Sequence, residues 1–411
     1  MKKNVVKILI VLIIISIILS SLSFVFASSD TPNLTSEAAI LMDQSTGKIL
    51  FEKNSTKKMY PASTTKILTA VLTIENVGLD DEVTVSENAV TSIPEGYVTA
   101  DLQVGEVLTV EQLLEILLLH SANDAAVALA EYVGGTVDSF VSMMNTKVNE
   151  LGLSSTHFTN PYGKQDPDHY TTAYDLAIIM KYCMDNDEFR KIAGSASCAI
   201  PATNMHEPRK YASSNKMIDP SDENYYPSIT AGKTGFTTEA GECFISCSYK
   251  NDVELIAVVL GGEGVDDPSV RFADTRALYE YGYSNYSLKN IIDTDDIVYQ
   301  MQIRNATKET KNLNLIAKNS IKALVKNDFQ GTSLTPEVTL KSEDISAPIE
   351  EGEVLATAKY TIDGEDYKVD LIADHDVEKS KTLNMAIEII FILIILVLIY
   401  KYFSSRKNKR A

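Results

Sequence analysis

The chain holds three groups of residues whose types could do nucleophilic chemistry together. The first lies in Tyr60-Pro61-Ala62-Ser63-Thr64-Thr65-Lys66, where a hydroxyl and an amine stand three positions apart. Ile67, Leu68, Val71, Leu72 and Ile74 recur after it at helical spacing and Pro61 suits a first turn, so the spacing predicts a helix beginning here. Ser63 and Lys66 then share one face. An alcohol beside an amine that the positive helix end and nearby cations keep unprotonated is a nucleophile with its own base. The S-x-x-K pattern is short and recurs at Ser45 to Lys48, Ser55 to Lys58, Ser213 to Lys216 and Ser404 to Lys407, so Ser63 needs partners from elsewhere. Ser121-Ala122-Asn123, wedged between two apolar stretches, offers a hydroxyl and an amide for a cleft, or an N-cap for the helix that follows; both readings can hold. Lys233-Thr234-Gly235 is the one K-T-G in the chain. It reads as strand, with Gly235 removing a side chain where a ligand backbone must come close.

The elements that would position these groups are legible on either side. Ala38 to Met42 and Ile49 to Glu52 read as two short strands around a turn. Asp81 to Val104 is polar and turn-rich, a loop region shaping one side of a cleft. Thr109 caps a helix with Val110, Leu113, Leu114, Leu117 and Leu118 on its apolar face; it stops at His120, and another helix runs from Ala125 to Tyr132. Leu176 to Met184 is a further helix, capped by Thr171 or Thr172. Cys243 to Tyr249 and Val253 to Leu260 join the K-T-G segment as three antiparallel strands. His157 and His169 sit beside a turn and a cap and are read as hydrogen-bonding struts ahead of acid–base groups.

Composition narrows the chemistry. With 45% hydrophobic and 23% charged residues, the 411-residue chain is a folded protein with room for two or three domains. A net charge of -19 leaves no basic face for phosphates and argues against a nucleic-acid partner. Five histidines without H-E-x-x-H or C-x-x-C give no metal site and call for no cofactor. Cys183, Cys198, Cys243 and Cys247 read as small buried apolar residues; on a strand, Cys243 and Cys247 stand roughly 13 Å apart, beyond disulfide reach.

The ends point to a membrane. Lys2, Lys3 and Lys7 precede the apolar run Ile8 to Leu19 and a small residue at Ala27, the pattern of a secretory signal peptide over residues 1–27. Residues 384–403 are apolar except at their margins and long enough for a bilayer core, and the tail 404–411 carries Arg406, Lys407, Lys409 and Arg410. The positive-inside rule makes that tail cytoplasmic and the body extracytoplasmic. Between body and span, short alternating runs from residue 291 to 378, with a hairpin at Asp363-Gly364, read as a separate β-rich module.

Taken together, Ser63-x-x-Lys66, Ser121-x-Asn123 and Lys233-Thr234-Gly235 resemble the motif set of the serine-type D-alanyl-D-alanine carboxypeptidases, the low-molecular-mass penicillin-binding proteins of peptidase family S11. Gly105-Glu106, Asn160-Pro161-Tyr162-Gly163, Tyr170 to Asp175 and the Gly241 turn extend the likeness over about Ser36 to Asn285, with a weaker match from Ser346 to Gly364. Lys164 departs from the family, which commonly has an apolar residue there. The resemblance implies an α/β fold: a β-lactamase/transpeptidase-like catalytic domain over residues 28–290, an antiparallel sheet flanked by helices, followed by the β-rich domain and the anchor. It implies Ser63 as nucleophile, Lys66 as base and Ser121 as proton carrier to the leaving amine. Asn123, Lys233, Thr234 and Gly235 would bind substrate, and the backbone N–H groups of Ser63 and Phe236 would form the oxyanion hole. The implied partners are peptidoglycan stem peptides ending in D-Ala-D-Ala, with β-lactams as covalent inhibitors. Arg209 and Arg271 would add positive field near a carboxylate or form surface ion pairs. Two rivals remain: a class A-like β-lactamase, for which no E-x-x-L-N segment is found, and a non-catalytic penicillin- or wall-binding protein, which should have lost a motif residue.

Overall fold

The computed structural model describes residues 31–263, 267–330 and 334–407. The signal peptide expected at 1–27 and the last four residues of the tail lie outside the described residues. The chain divides into two units, the first ending at Asn285 and the second beginning at Tyr286.

In the first unit, β1 (Ala38–Asp43) and β2 (Ile49–Lys53) open a five-stranded antiparallel sheet of order β2-β1-β9-β8-β7. The chain then makes a 3₁₀ turn, Ala62–Thr65, that runs into α1 (Lys66–Asn76). The expected loop region holds β3 (Glu82–Thr84) and α2 (Glu87–Thr91), with β3 pairing β4 (Val107–Thr109). These elements are too short for their periodicity to show in a polar sequence. Thr109 caps α3 (Val110–Glu115) through a capping box with Gln112, and a π-helical turn, Ile116–His120, ends it where expected. Next come α4 (Asn123–Gly134), α5 (Val137–Glu150), α6 (Ala173–Met184, capped by Thr172) and α7 (Asp187–Ala193). A small hairpin of β5 (Ser197–Ile200) and β6 (Arg209–Ala212) leads to β7 (Ile229–Thr237), β8 (Gly241–Lys250) and β9 (Val253–Gly262).

β1, β8 and β9 are buried almost throughout because helices cover both faces of the sheet. On one side the core runs from Ile40, Met42, Val258 and Leu260 through Leu68, Val71, Leu117 and Leu129 to Met180. On the other, α8 (Val270–Asn285) lies along β8 and β9. Its Tyr279 bonds Ser246 Oγ and its Tyr283 donates to Ser248 O, so buried hydroxyls find partners on the sheet. All four cysteines are free and buried.

The second unit pairs β10 (Tyr286–Ile292) with β13 (Ile321–Lys326) and builds a sheet β11-β12-β16-β15-β14. Its strands are β11 (Ile297–Gln302), β12 (Asn312–Ala317), β14 (Glu337–Leu340), β15 (Val354–Ile362) and β16 (Glu365–Ala373). Asp363 and Gly364, both at positive φ, make the hairpin turn. The expected span at 384–403 falls within helix α9 (Lys381–Lys407), yet among the described residues no helix is long and apolar enough to cross a membrane.

Candidate active site

Ser63 sits in the 3₁₀ turn that leads into α1, one residue after Ala62, whose φ of 47° is a left-handed conformation costing an alanine about 1–2 kcal/mol. The turn is held from within: Thr64 Oγ1 donates to Pro61 O at 2.7 Å and Thr65 Oγ1 to Ala62 O at 2.8 Å. Lys66, fully buried, lies 2.9 Å by its Nζ from Ser63 Oγ, 2.7 Å from Asn123 Oδ1 and 2.8 Å from Tyr162 O. Burial pushes its pKa well below the ordinary lysine value, and Lys233 pushes it the same way while Asp124 opposes. A neutral amine has two protons and one lone pair. In that form the two carbonyl oxygens can take the protons, which leaves the lone pair for the Ser63 hydroxyl.

Ser121 departs from the N-cap reading. Its φ of 66° and ψ of 26° put it in the left-handed region at the end of the π turn, Ala122 takes the cap position with no side-chain bond, and Asn123 is the first residue of α4. Strain of this kind costs on the order of 1–3 kcal/mol and persists where surrounding structure enforces it. Here buried Asp124, to which the sequence reading gave no role, accepts the backbone N–H groups of Ala100, Leu102 and Ala125, tying the 97–102 strap to the start of α4. Asn123 N donates to Val98 O at 2.9 Å in the same strap.

The K-T-G segment lies in β7, the edge strand beside the 3₁₀ turn. A Cβ on Gly235 would stand 3.0 Å from both Pro61 O and Ser63 N, so the backbone that comes close here is the chain's own, at the 3₁₀ turn, where the sequence reading expected a ligand's. Lys233 is buried and its pKa is pushed down to about 7, by burial first and by Arg271 second. Thr234 Oγ1 donates to Ser214 Oγ at 2.7 Å. Arg271 is buried, not a surface cation. It pairs with Glu242, donates to Gly235 O and lines the cleft beside the strand. Arg209 is likewise consumed, pairing with buried Glu106.

These groups converge. A cleft of about 570 Å³ is lined by Ser63, Ser121, Asn123, Thr234, Gly235 and Phe236. Tyr162, from the Asn160-Pro161-Tyr162-Gly163 stretch, and Arg271 also line it, as do Tyr97, Val98 and Ser214, which the sequence did not single out. Ser214 lies within one of the S-x-x-K stretches set aside as coincidental, and only its neighbour Thr234, twenty positions on, gives it a role.

The family model for the peptidase S11 D-alanyl-D-alanine carboxypeptidases matches residues 25–264, and that for the C-terminal domain of penicillin-binding protein 5 matches residues 286–379. The chain belongs to the S11 D-alanyl-D-alanine carboxypeptidase family. This carboxypeptidase is 32% identical over 350 residues to D-alanyl-D-alanine carboxypeptidase DacF of Bacillus subtilis (strain 168), across 83% of this chain and 86% of the relative. It is 29% identical to D-alanyl-D-alanine carboxypeptidase DacC of Escherichia coli (strain K12), across 82% and 84%. Among solved structures it is similar to penicillin binding protein 5 from Haemophilus influenzae, with a TM-score of 0.66 and 26% identity over 85% of this chain and 99% of that one. A peptidoglycan synthesis regulatory factor (PBP3) from Streptococcus pneumoniae superposes with a TM-score of 0.69 and 26% identity, over 84% and 100%. The fold class follows: a transpeptidase-like catalytic unit and a β-rich C-terminal unit.

Two features of the carboxypeptidase's site yield predictions. Gly163, at φ 88°, lies so close to the 3₁₀ turn that a Cβ would fall 1.8 Å from Ala62 O and 2.9 Å from Ser63 N. No rotamer relieves a backbone overlap, so Gly163→Ala must displace Ser63. A misplacement near 1 Å costs about 10²-fold, and kcat/KM for D-alanine release is expected to fall by about that factor; activity within twofold of wild type would refute the contact.

His169 is the strut foreseen. Thr159 N donates to its Nδ1 at 3.0 Å, so its Nε2–H faces Thr65 Oγ1 at 2.9 Å, and burial lowers its pKa to about 3. Between that value and the unfolded value near 6.5, the unfolded chain binds the extra proton. Stability therefore falls as pH drops through this window, by about 1.4 kcal/mol per pH unit from this group. Urea midpoints at pH 7 and pH 5 should differ less in His169→Asn than in wild type; equal slopes would reject the assignment. His157, whose Nδ1 lies 2.7 Å from Asp168 O, is also a strut.

Proposed function

We propose that Ser63 Oγ attacks the carbonyl joining the two terminal D-alanines of a peptidoglycan stem pentapeptide, giving an acyl-enzyme and free D-alanine. The observation carrying this reading is the set of oxygens within 2.9 Å of the buried Lys66 Nζ, namely Ser63 Oγ, Asn123 Oδ1 and Tyr162 O; as a neutral amine Lys66 spends its two protons on the last two and meets Ser63 Oγ with its lone pair. Lys66 takes the serine proton as the C–O bond forms. Ser121, in the same cleft, passes its proton to the departing amine as the C–N bond breaks and takes the one Lys66 holds, which leaves Lys66 neutral again. Water then attacks the ester as Lys66 takes its proton, and Lys66 returns that proton to Ser63 Oγ as the C–O bond to the serine breaks and the shortened peptide leaves as its acid.

Asn123 positions the substrate amide as well as Lys66. Thr234 and Lys233 receive the free carboxylate, which favours the charged form of an amine poised near neutrality. The N–H groups of Ser63 and Phe236 hold the developing oxyanion, each worth about 3 kcal/mol. Gly235 between them lets the two backbones approach. β-Lactams acylate the same oxygen.

Residues 28–290 form the catalytic domain and 291–378 a spacer or docking module. The signal peptide at 1–27 exports the body, and 384–403 anchors it as a single-pass segment with 404–411 inside the cell. The anchor reading is supported by the unbroken exposed apolar surface from Ile389 to Tyr400, whose natural surroundings are acyl chains.

The test is trapping. Benzylpenicillin should add its mass to the peptide containing Ser63, with loss of the adduct slow against its formation. Rapid sustained turnover of a chromogenic cephalosporin would instead favour the lactamase, and a label on any other residue would sink the assignment.

A further inference from the structure

Two cavities meet at Glu239. The cleft described above has this carboxylate at its rim, and a side groove of about 430 Å³, lined by Lys57, Lys58, Tyr60, Pro167, Tyr170 and Glu239 among others, has it as an end wall. Most charges around the cleft are already committed: Arg271 to Glu242 and to carbonyl oxygens, Lys66 to Ser63, Asn123 and Tyr162. Glu239 is exposed and, among the described residues, has no hydrogen-bond or ion-pair partner. In the groove Lys57 pairs with Glu37, whereas Lys58 has its ammonium 3.8 Å above the centre of the Tyr170 ring and no carboxylate against it among the described residues. One groove thus carries an uncommitted anion and an uncommitted cation.

The direction of the substrate makes this relevant, and here the argument rests on the function proposed above. With the terminal carboxylate at Thr234 and the attacked carbonyl at Ser63, the acyl half of the peptide continues along β7 past Phe236 toward the turn at Glu239. A strand rises about 3.3 Å per residue, so Thr234 to Thr237 spans about 10 Å. That length carries the peptide backbone to the third residue from its end, whose side chain then reaches the turn and the groove beside it.

We propose that this groove is the subsite for the side chain preceding the two D-alanines, and that it selects one ending in both a free amino and a free carboxylate group, as in a diamino dicarboxylic acid. The ammonium pairs with Glu239 and the carboxylate with Lys58. A lysine side chain satisfies the first contact only.

The experiment measures D-alanine release by the full chain from three peptides of one backbone, at low and at high salt. Their third residue is diaminopimelate, diaminopimelate amidated at its side-chain carboxyl, or doubly acetylated L-lysine. The free diaminopimelate peptide should lead in kcat/KM, by about fivefold per ion pair at low salt and less at high salt. Lys58→Met should erase the difference between free and amidated carboxyl, and Glu239→Gln the advantage of the free amine; the ratio between substrates is the readout, which a general loss of structure would not move. Equal rates on all three peptides would overturn the subsite and leave the chemistry at Ser63 standing. Discrimination that survives both substitutions would overturn it too, and release from none of the peptides would overturn both readings.

Discussion

Ser63→Ala is expected to lower kcat/KM for D-alanine release from diacetyl-L-Lys-D-Ala-D-Ala by about 10⁴-fold or more, the scale on which loss of a serine nucleophile is felt. No other hydroxyl stands in for it. Thr64 and Thr65, its neighbours, direct their Oγ1 atoms back to Pro61 O and Ala62 O within the turn. Ser121 lines the same cleft, but no hydrogen bond joins it to Lys66 among those described. The substitution removes one partner from Lys66 and leaves Asn123 Oδ1 and Tyr162 O in place, so the melting temperature should move little. Benzylpenicillin should cease to label the protein. Release within tenfold of wild type, in a preparation that melts normally, would remove Ser63 from the mechanism.

Lys66→Met should cost about 10³-fold in kcat, within the range for a positioned general base, with a smaller change in KM because the side chain lies beneath the substrate. Methionine keeps the volume and removes a buried amine. Against that gain, Asn123 Oδ1 and Tyr162 O lose their donor, at about 1–3 kcal/mol for each group left unsatisfied. The pH profile separates a base from a strut. In its proposed role Lys66 works when neutral, and its pKa lies well below the usual lysine value through burial and through Lys233. Wild-type kcat/KM therefore falls as pH is lowered through that pKa, and the acid limb it causes should vanish in Lys66→Met. An unchanged acid limb would assign the proton to another group.

Much of this was legible in the chain because it is local. Ser63 and Lys66 are one helical turn apart, Thr109 with Gln112 closes a capping box within four residues, and Asp363-Gly364 makes a two-residue hairpin. What escaped depends on distance. Helix α8 hides its inner face behind Tyr279 and Tyr283, whose hydroxyls are satisfied only once β8 lies beneath them. Strand β10 pairs with β13, some thirty residues on, and its sequence alone names no partner. Ser121 passed for a cap because Ser and Asn favour that position, until the π turn placed it at positive φ.

The sequence by itself determined the inventory: an alcohol, two lysines, an amide and a glycine strand in an order that resembles one family, on segments of the required types. Tertiary structure decided their state. A lysine's pKa falls this far only where burial removes water and a second cation stands near, which here needs β7 against the 3₁₀ turn and α4 across from α1. The third partner of Lys66 is a backbone carbonyl at Tyr162, and no residue code announces a carbonyl's position. Composition specifies which groups are present; desolvation and proximity, which set their pKa values, exist only after the chain has closed around them.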